Sequence, residues 1–172
     1  MSYAKEMDSR AQALAPDTKR EMLRHTVATL AYRAAKAVRN APDGFADFRA
    51  LEKSRTPVET LAHMGDLFDW ALWLAQGKHE WRDSAPLAWD EECKRFFATL
   101  GAFEAYLNSD QPLHFPAEKL FQGPIADALT HTGQLTMLRR LAGAPIRAEN
   151  YFKADIVAGR VGSEQTAPAR EF

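Results

Sequence analysis

The chain is predicted to be all-α: a four-helix bundle followed by a short C-terminal helix. Three observations carry this expectation. Four segments repeat apolar residues at helical spacing, their ends carry helix start and stop residues, and no segment alternates as a half-buried strand does.

The first helix is expected from about Asp17 to Asn40. Leu23, Val27, Leu30, Ala34 and Val38 fall on one face, Arg20, Arg24, Arg33 and Lys36 fall elsewhere, and Ala41-Pro42-Asp43-Gly44 stops it. The second has the clearest start. Thr56 caps, Pro57 takes the first helical position, and Glu59 completes a Thr-x-x-Glu capping box. Its apolar face runs through Leu61, Leu67, Phe68, Trp70 and Leu74 to Gly77, a left-handed terminator. The third is expected from about Leu87 to Asn108, with Trp89, Cys93, Phe96, Leu100, Phe103 and Leu107 as a seam in steps of four and three. Asp90, Glu91 and Glu92 suit the positive end of its dipole. The fourth begins near Pro124, after a turn at Pro116 to Phe121, and ends at Gly143 before Pro145. A short helix is expected over Asn150 to Ala158, with fraying from Gly162 onward.

The 172 residues fit one domain over 1–172, with 1–15 and 162–172 as flexible ends. Hydrophobic residues make up 46% and charged residues 26%, an ordinary globular balance. Lys+Arg 22 against Asp+Glu 23 gives a net charge of −1, so nothing supplies the basic stripe that a nucleic-acid binder needs. No stretch approaches the roughly 20 apolar residues that span a bilayer. The residues from Met1 to Ala15 lack the apolar run of a signal peptide, and the single cysteine, Cys93, permits no internal disulfide. The expected setting is the cytoplasm, with neither a membrane nor a nucleic acid as partner.

The fourth helix holds an anomaly. At 100° per residue, Ala128, Leu135, Leu138, Leu141 and Ala142 define its apolar arc, and Asp127, His131 and Gln134 lie within that arc. Thr132, Thr136, Arg139 and Arg140 fall on the solvent side. On the second helix, His63 shares the stripe of Leu67, Trp70 and Leu74, whereas Asp66 and Asp69 sit further round toward water. An unpaired carboxylate on a buried face costs several kcal/mol or takes up a proton, so something must compensate Asp127. Two compensations fit. In one, Asp127 and His131 hydrogen-bond each other and His63 is a satisfied core histidine. In the other, His63, Asp127 and His131 hold a divalent metal between two helices and leave coordination positions open. Gln134 and Asp66 are then the candidate hydrogen-bonding supports behind the ligands. His25 is expected on the surface, His79 and His114 lack a partner at ligand spacing, and Cys93 behaves as a small hydrophobe.

The stretch from Thr56 to Leu67, containing His63, resembles the start of the second helix in the DinB/YfiT-like metalloenzyme superfamily. The family's later signature is a His-x-x-x-His pair running into Arg-Gly-Gln. The matching stretch here is Asp127-Ala-Leu-Thr-His131-Thr-Gly133-Gln134, and Asn150 to Lys153 is similar to the family's closing segment. The resemblance spans about Met22 to Ile156. Two departures stand out: Asp127 replaces a histidine, and Thr132 replaces the usual arginine.

The resemblance implies a bundle of four helices, one divalent metal on His63, Asp127 and His131, and pairing into a homodimer. Zinc and nickel are the expected ions, with iron and manganese as alternatives. It further implies a metal-dependent enzyme acting on a small molecule, as a transferase or isomerase that uses a low-molecular-weight thiol in the manner of mycothiol- and bacillithiol-dependent relatives. The alternative class is a non-catalytic metal-binding or dimerising bundle.

Overall fold

A computed structural model describes residues 17–172. The expectation that 1–15 is a flexible end lies outside these residues. Four helical rods form the bundle. The first three are α1 (Thr18–Val38), α2 (Pro57–Ala75) and α3 (Trp89–Leu107). The fourth is composite: α4 (Ala117–Leu120), a π turn (Phe121–Ile125) and α5 (Ala126–Leu141). Among the described residues there is no strand, only an isolated bridge between Glu149 and Glu171. No helix among them is long and apolar enough to cross a membrane.

Local chemistry sets the ends. Asp17 accepts from the N–H groups of Lys19 and Arg20, which places the start of α1 one residue later than expected. On α2 both arms of the capping box form: Glu59 N–H donates to Thr56 Oγ1 at 3.2 Å, and Thr56 N–H donates to Glu59 Oε2 at 2.7 Å. Such caps contribute about 1 kcal/mol. Gly77 closes the helix at φ +86°, and a Cβ there would also meet the His114 ring at 3.1 Å. Two constraints therefore select glycine at this position.

The rods form a square. The α2–α3 interface is the most extensive, α1 packs on α3 and α5, and α2 packs on α5. The sequential pair α1 and α2 thus lies on a diagonal, and residues 39–56 carry the chain across. Phe45, in a 3-10 turn over Phe45–Asp47, is buried on this crossing and meets Trp89 edge-on. Phe68, Phe96, Phe103, Leu30, Leu61, Leu100 and Leu135 fill the centre. Each such side chain stabilises the fold by about 1.5–3 kcal/mol through removal from water.

The structure corrects several expectations. The fourth rod is continuous from Ala117, because the π turn absorbs Pro124. Proline lacks an N–H and its ring opposes the carbonyl four residues back, so the ladder widens and Ala126 N–H reaches back five residues to Phe121 O. Thr132 and Arg139 are buried rather than solvent-facing. The reason is that α5 is wedged between α1 and α2 and buries more than one stripe. Arg139 donates to Arg39 O and Ala144 O at 3.0 Å each, closing the C-terminal end of α1. Leu141, placed on the apolar arc, is exposed.

The C-terminal helix is a single 3-10 turn, Tyr151–Lys153, shorter than the segment expected. The tail expected to fray from Gly162 is pinned at its end instead. Glu171 pairs with Lys36 at 2.7 Å, and Phe172 N–H donates to Ala148 O at 3.0 Å. Glu149 is buried beneath this bridge, where it accepts from Tyr32 Oη at 2.6 Å and Lys36 Nζ at 2.8 Å. Burial and the Glu149 carboxylate push the Tyr32 hydroxyl well above its ordinary pKa.

Candidate metal centre

His63 projects from the second turn of α2, and Asp127 and His131 project from the first two turns of α5. The i, i+4 spacing stacks Asp127 and His131 on one face. The π turn immediately before α5 sets the rotation at which that face meets α2. The three residues form one cluster whose ligand atoms all lie within 4.8 Å of one another. His63 Nε2 is 3.4 Å from Asp127 Oδ2, and His131 Nε2 is 3.4 Å from Asp127 Oδ1. The two imidazoles meet edge to face with centroids 4.8 Å apart.

The cluster sits at the mouth of a cleft rather than inside the core. His131 is 8% exposed, but the Asp127 side chain is 46% exposed. The expectation that Asp127 is fully buried is therefore too strong, since water reaches this carboxylate. Gln134 is exposed as well, yet its Oε1 lies 2.7 Å from His131 Nδ1. With Nδ1–H donating to that oxygen, the lone pair of Nε2 faces Asp127. Burial, then the positive charge of Arg55, hold His63 below its ordinary pKa, with Asp127 opposing. Neutral imidazole is the form that binds metals.

Asp66, expected to support a ligand, is engaged elsewhere. It is 5% exposed, and its two oxygens accept from Ser84 N–H at 2.9 Å and Arg95 Nη1 at 2.8 Å. It ties the 76–88 link and α3 to α2. The remaining histidines take the places their spacing suggested: His25 is exposed, His79 stacks on Trp70, and His114 packs at Gly77. Cys93 is half-buried, and burial beside Asp90 and Glu92 pushes its thiol up to about 12, which keeps it protonated and inert.

An aromatic rim borders the cluster. Trp81, from the link, packs edge-on against both His63 (5.5 Å) and Trp70 (5.8 Å). Each of those two residues lines a different cavity. One cavity, of about 400 Å³, is lined by His63 together with Arg49, Lys53 and Arg55. The other, of about 430 Å³, is lined by Asp127, Trp70, Gln122 and Thr130. The cluster therefore stands between two clefts. The sequence offers Trp81 as a pocket-lining aromatic, but the spacing of the 76–88 link does not place it, because loops are placed by tertiary contacts rather than periodicity.

Each imidazole faces a different oxygen of Asp127. Hydrogen bonds between nitrogen and oxygen fall at about 2.7–3.2 Å, so contacts of 3.4 Å are poor ones. The donor set of two imidazoles and a carboxylate also fits a divalent cation of the zinc type. No family model, no curated protein and no solved structure matches the chain.

Proposed function

We propose that this protein is a metal-dependent enzyme of the DinB/YfiT type, holding one divalent ion on His63, Asp127 and His131. The observation that supports the reading is the gathering of His63, Asp127 and His131 from two helices, with ligand atoms within 4.8 Å of one another at the mouth of a cleft. Zinc and nickel suit this donor set first, iron and manganese next. A structural site would need a fourth protein ligand, whereas the cluster has three among the described residues and opens to solvent at Asp127.

Such an ion supplies Lewis acidity and lowers the pKa of a water or thiol that enters the cleft. The protein's own groups do the rest. Gln134 fixes the ring of His131, and the exposed carboxylate of Asp127 lowers the net charge of the site. Trp70 and Trp81 border one side of it. Two clefts meeting at one cluster suit a two-reactant reaction, in which a low-molecular-weight thiol attacks a small electrophile.

Elemental analysis of protein purified without chelator or affinity tag tests the reading. About one divalent ion per chain is expected in the wild type and in His25→Ala, and none in His131→Ala. Absence of metal from the wild type after reconstitution would overturn it. Metal-dependent consumption of a thiol in the presence of an electrophile would then separate enzyme from scaffold.

A further inference from the structure

The cavity beside His63 contains six other charged residues, and they are unequally engaged. Asp66 is neutralised by Arg95 at 2.8 Å. Glu59 is paired with Arg49 at 3.0 Å and also accepts from Thr56 N–H. Asp83 accepts from Trp81 Nε1 at 3.1 Å. Three remain without an ion pair among the described residues, and all three are exposed: Asp83, whose carboxylate keeps its charge, and the cations Lys53 and Arg55. In a protein with a net charge of −1, two unpaired cations against one unpaired carboxylate leave this cavity, which His63 also lines, with an excess of positive charge.

We infer that this cavity takes the anionic group, carboxylate or phosphate, of the small molecule that reacts at the centre, with Arg55 and Lys53 as the recognising groups. The inference rests on the metal reading for its reacting end and on the cavity alone for its anionic end. A guanidinium presents a planar fork that matches either anion, and an ammonium adds a point charge beside it. A space of about 400 Å³ suits a molecule of metabolite size, and it shares His63 with the cluster. An anion held there lies within one side chain of the proposed ion, so charge selects the substrate and also orients its other end.

Calorimetric titration of the zinc-loaded protein with succinate, its neutral diamide succinamide, and inorganic phosphate tests this. Succinate or phosphate should bind and succinamide should not; the tighter of the two anions identifies the group. Arg55→Gln should weaken anion binding about tenfold, the loss of one charge-assisted contact, and Lys53→Gln somewhat less. Lys94→Gln removes the same charge from an exposed site on α3 outside the cavity and should leave binding unchanged. Zinc content should stay at about one per chain in all three variants. Equal binding of succinate and succinamide, no binding of either anion at millimolar concentration, or full affinity in Arg55→Gln would overturn the inference while the metal reading stands. Should zinc fail to bind, the metal reading falls. The same titration of the zinc-free protein then decides the cavity: a loss in Arg55→Gln supports anion recognition, and no loss overturns it.

Discussion

Along α2, Asp66 pairs with Arg95, which also holds Glu92, and three residues earlier His63 meets Asp127 and His131. In the first cluster every carboxylate oxygen is satisfied. Arg95 donates to Glu92 Oε1 at 2.6 Å and Asp66 Oδ1 at 2.8 Å, while the N–H groups of Leu87 and Ser84 serve the other two oxygens. Its third donor reaches Ala62 O, across a helix face kept bare by Gly65, where a Cβ would lie 2.8 Å from Nη2. In the second cluster the His63 and His131 rings each lie 3.4 Å from a different oxygen of Asp127, too far for good hydrogen bonds. A network that serves only the fold closes its own charges. The His63 cluster leaves its groups loosely engaged and open to solvent at Asp127.

That contrast can be broken most forcefully at Arg95. Arg95→Met should cost about 3–5 kcal/mol in chemical denaturation, because it strands two buried carboxylates, yet metal content per folded chain should be unchanged. A near-neutral result would mean that the first cluster is not the structural one. Gln134→Ala should act the other way round. Its side chain is exposed, so stability should move by less than about 0.5 kcal/mol, whereas loss of the partner at His131 Nδ1 should weaken metal binding about 10–100-fold.

The smallest expected effect concerns pH. His63 takes up a proton less readily in the fold than its ordinary value of 6.5. The unfolded chain therefore binds the extra proton as pH falls through about 6.5, and the metal-free protein loses His63's contribution there while keeping it above. The metal-loaded protein should lose stability more steeply over the same window, since protons displace the ion from its ligands. Parallel melting curves with and without metal would show the difference, and identical slopes would argue that His63 holds nothing.

Much of this was legible in the chain. The four rods follow from periodicity, and the start of α2 from Thr56, Pro57 and Glu59, since those signals act within a few residues. Polar side chains on apolar arcs left the meeting of His63 with Asp127 and His131 as one of two readings, and the family resemblance favoured it. What escaped were features that depend on how many neighbours a helix has. Asp66, Thr132 and Arg139 were assigned to water because one buried stripe was assumed, and each helix here is covered on two sides. The half-exposure of Asp127 escaped for the opposite reason: its turn of α5 lies where the bundle opens. The pinned tail was invisible because Lys36 and Glu171 are 135 residues apart.

The most direct test is anomalous diffraction at the zinc edge from crystals grown with zinc and without chelator. The account predicts one strong peak per chain within about 2.0–2.2 Å of a ring nitrogen of His63, a ring nitrogen of His131 and an oxygen of Asp127, with no fourth protein ligand. No peak there, with the three side chains drawn into direct hydrogen bonds of about 2.8 Å, would contradict it.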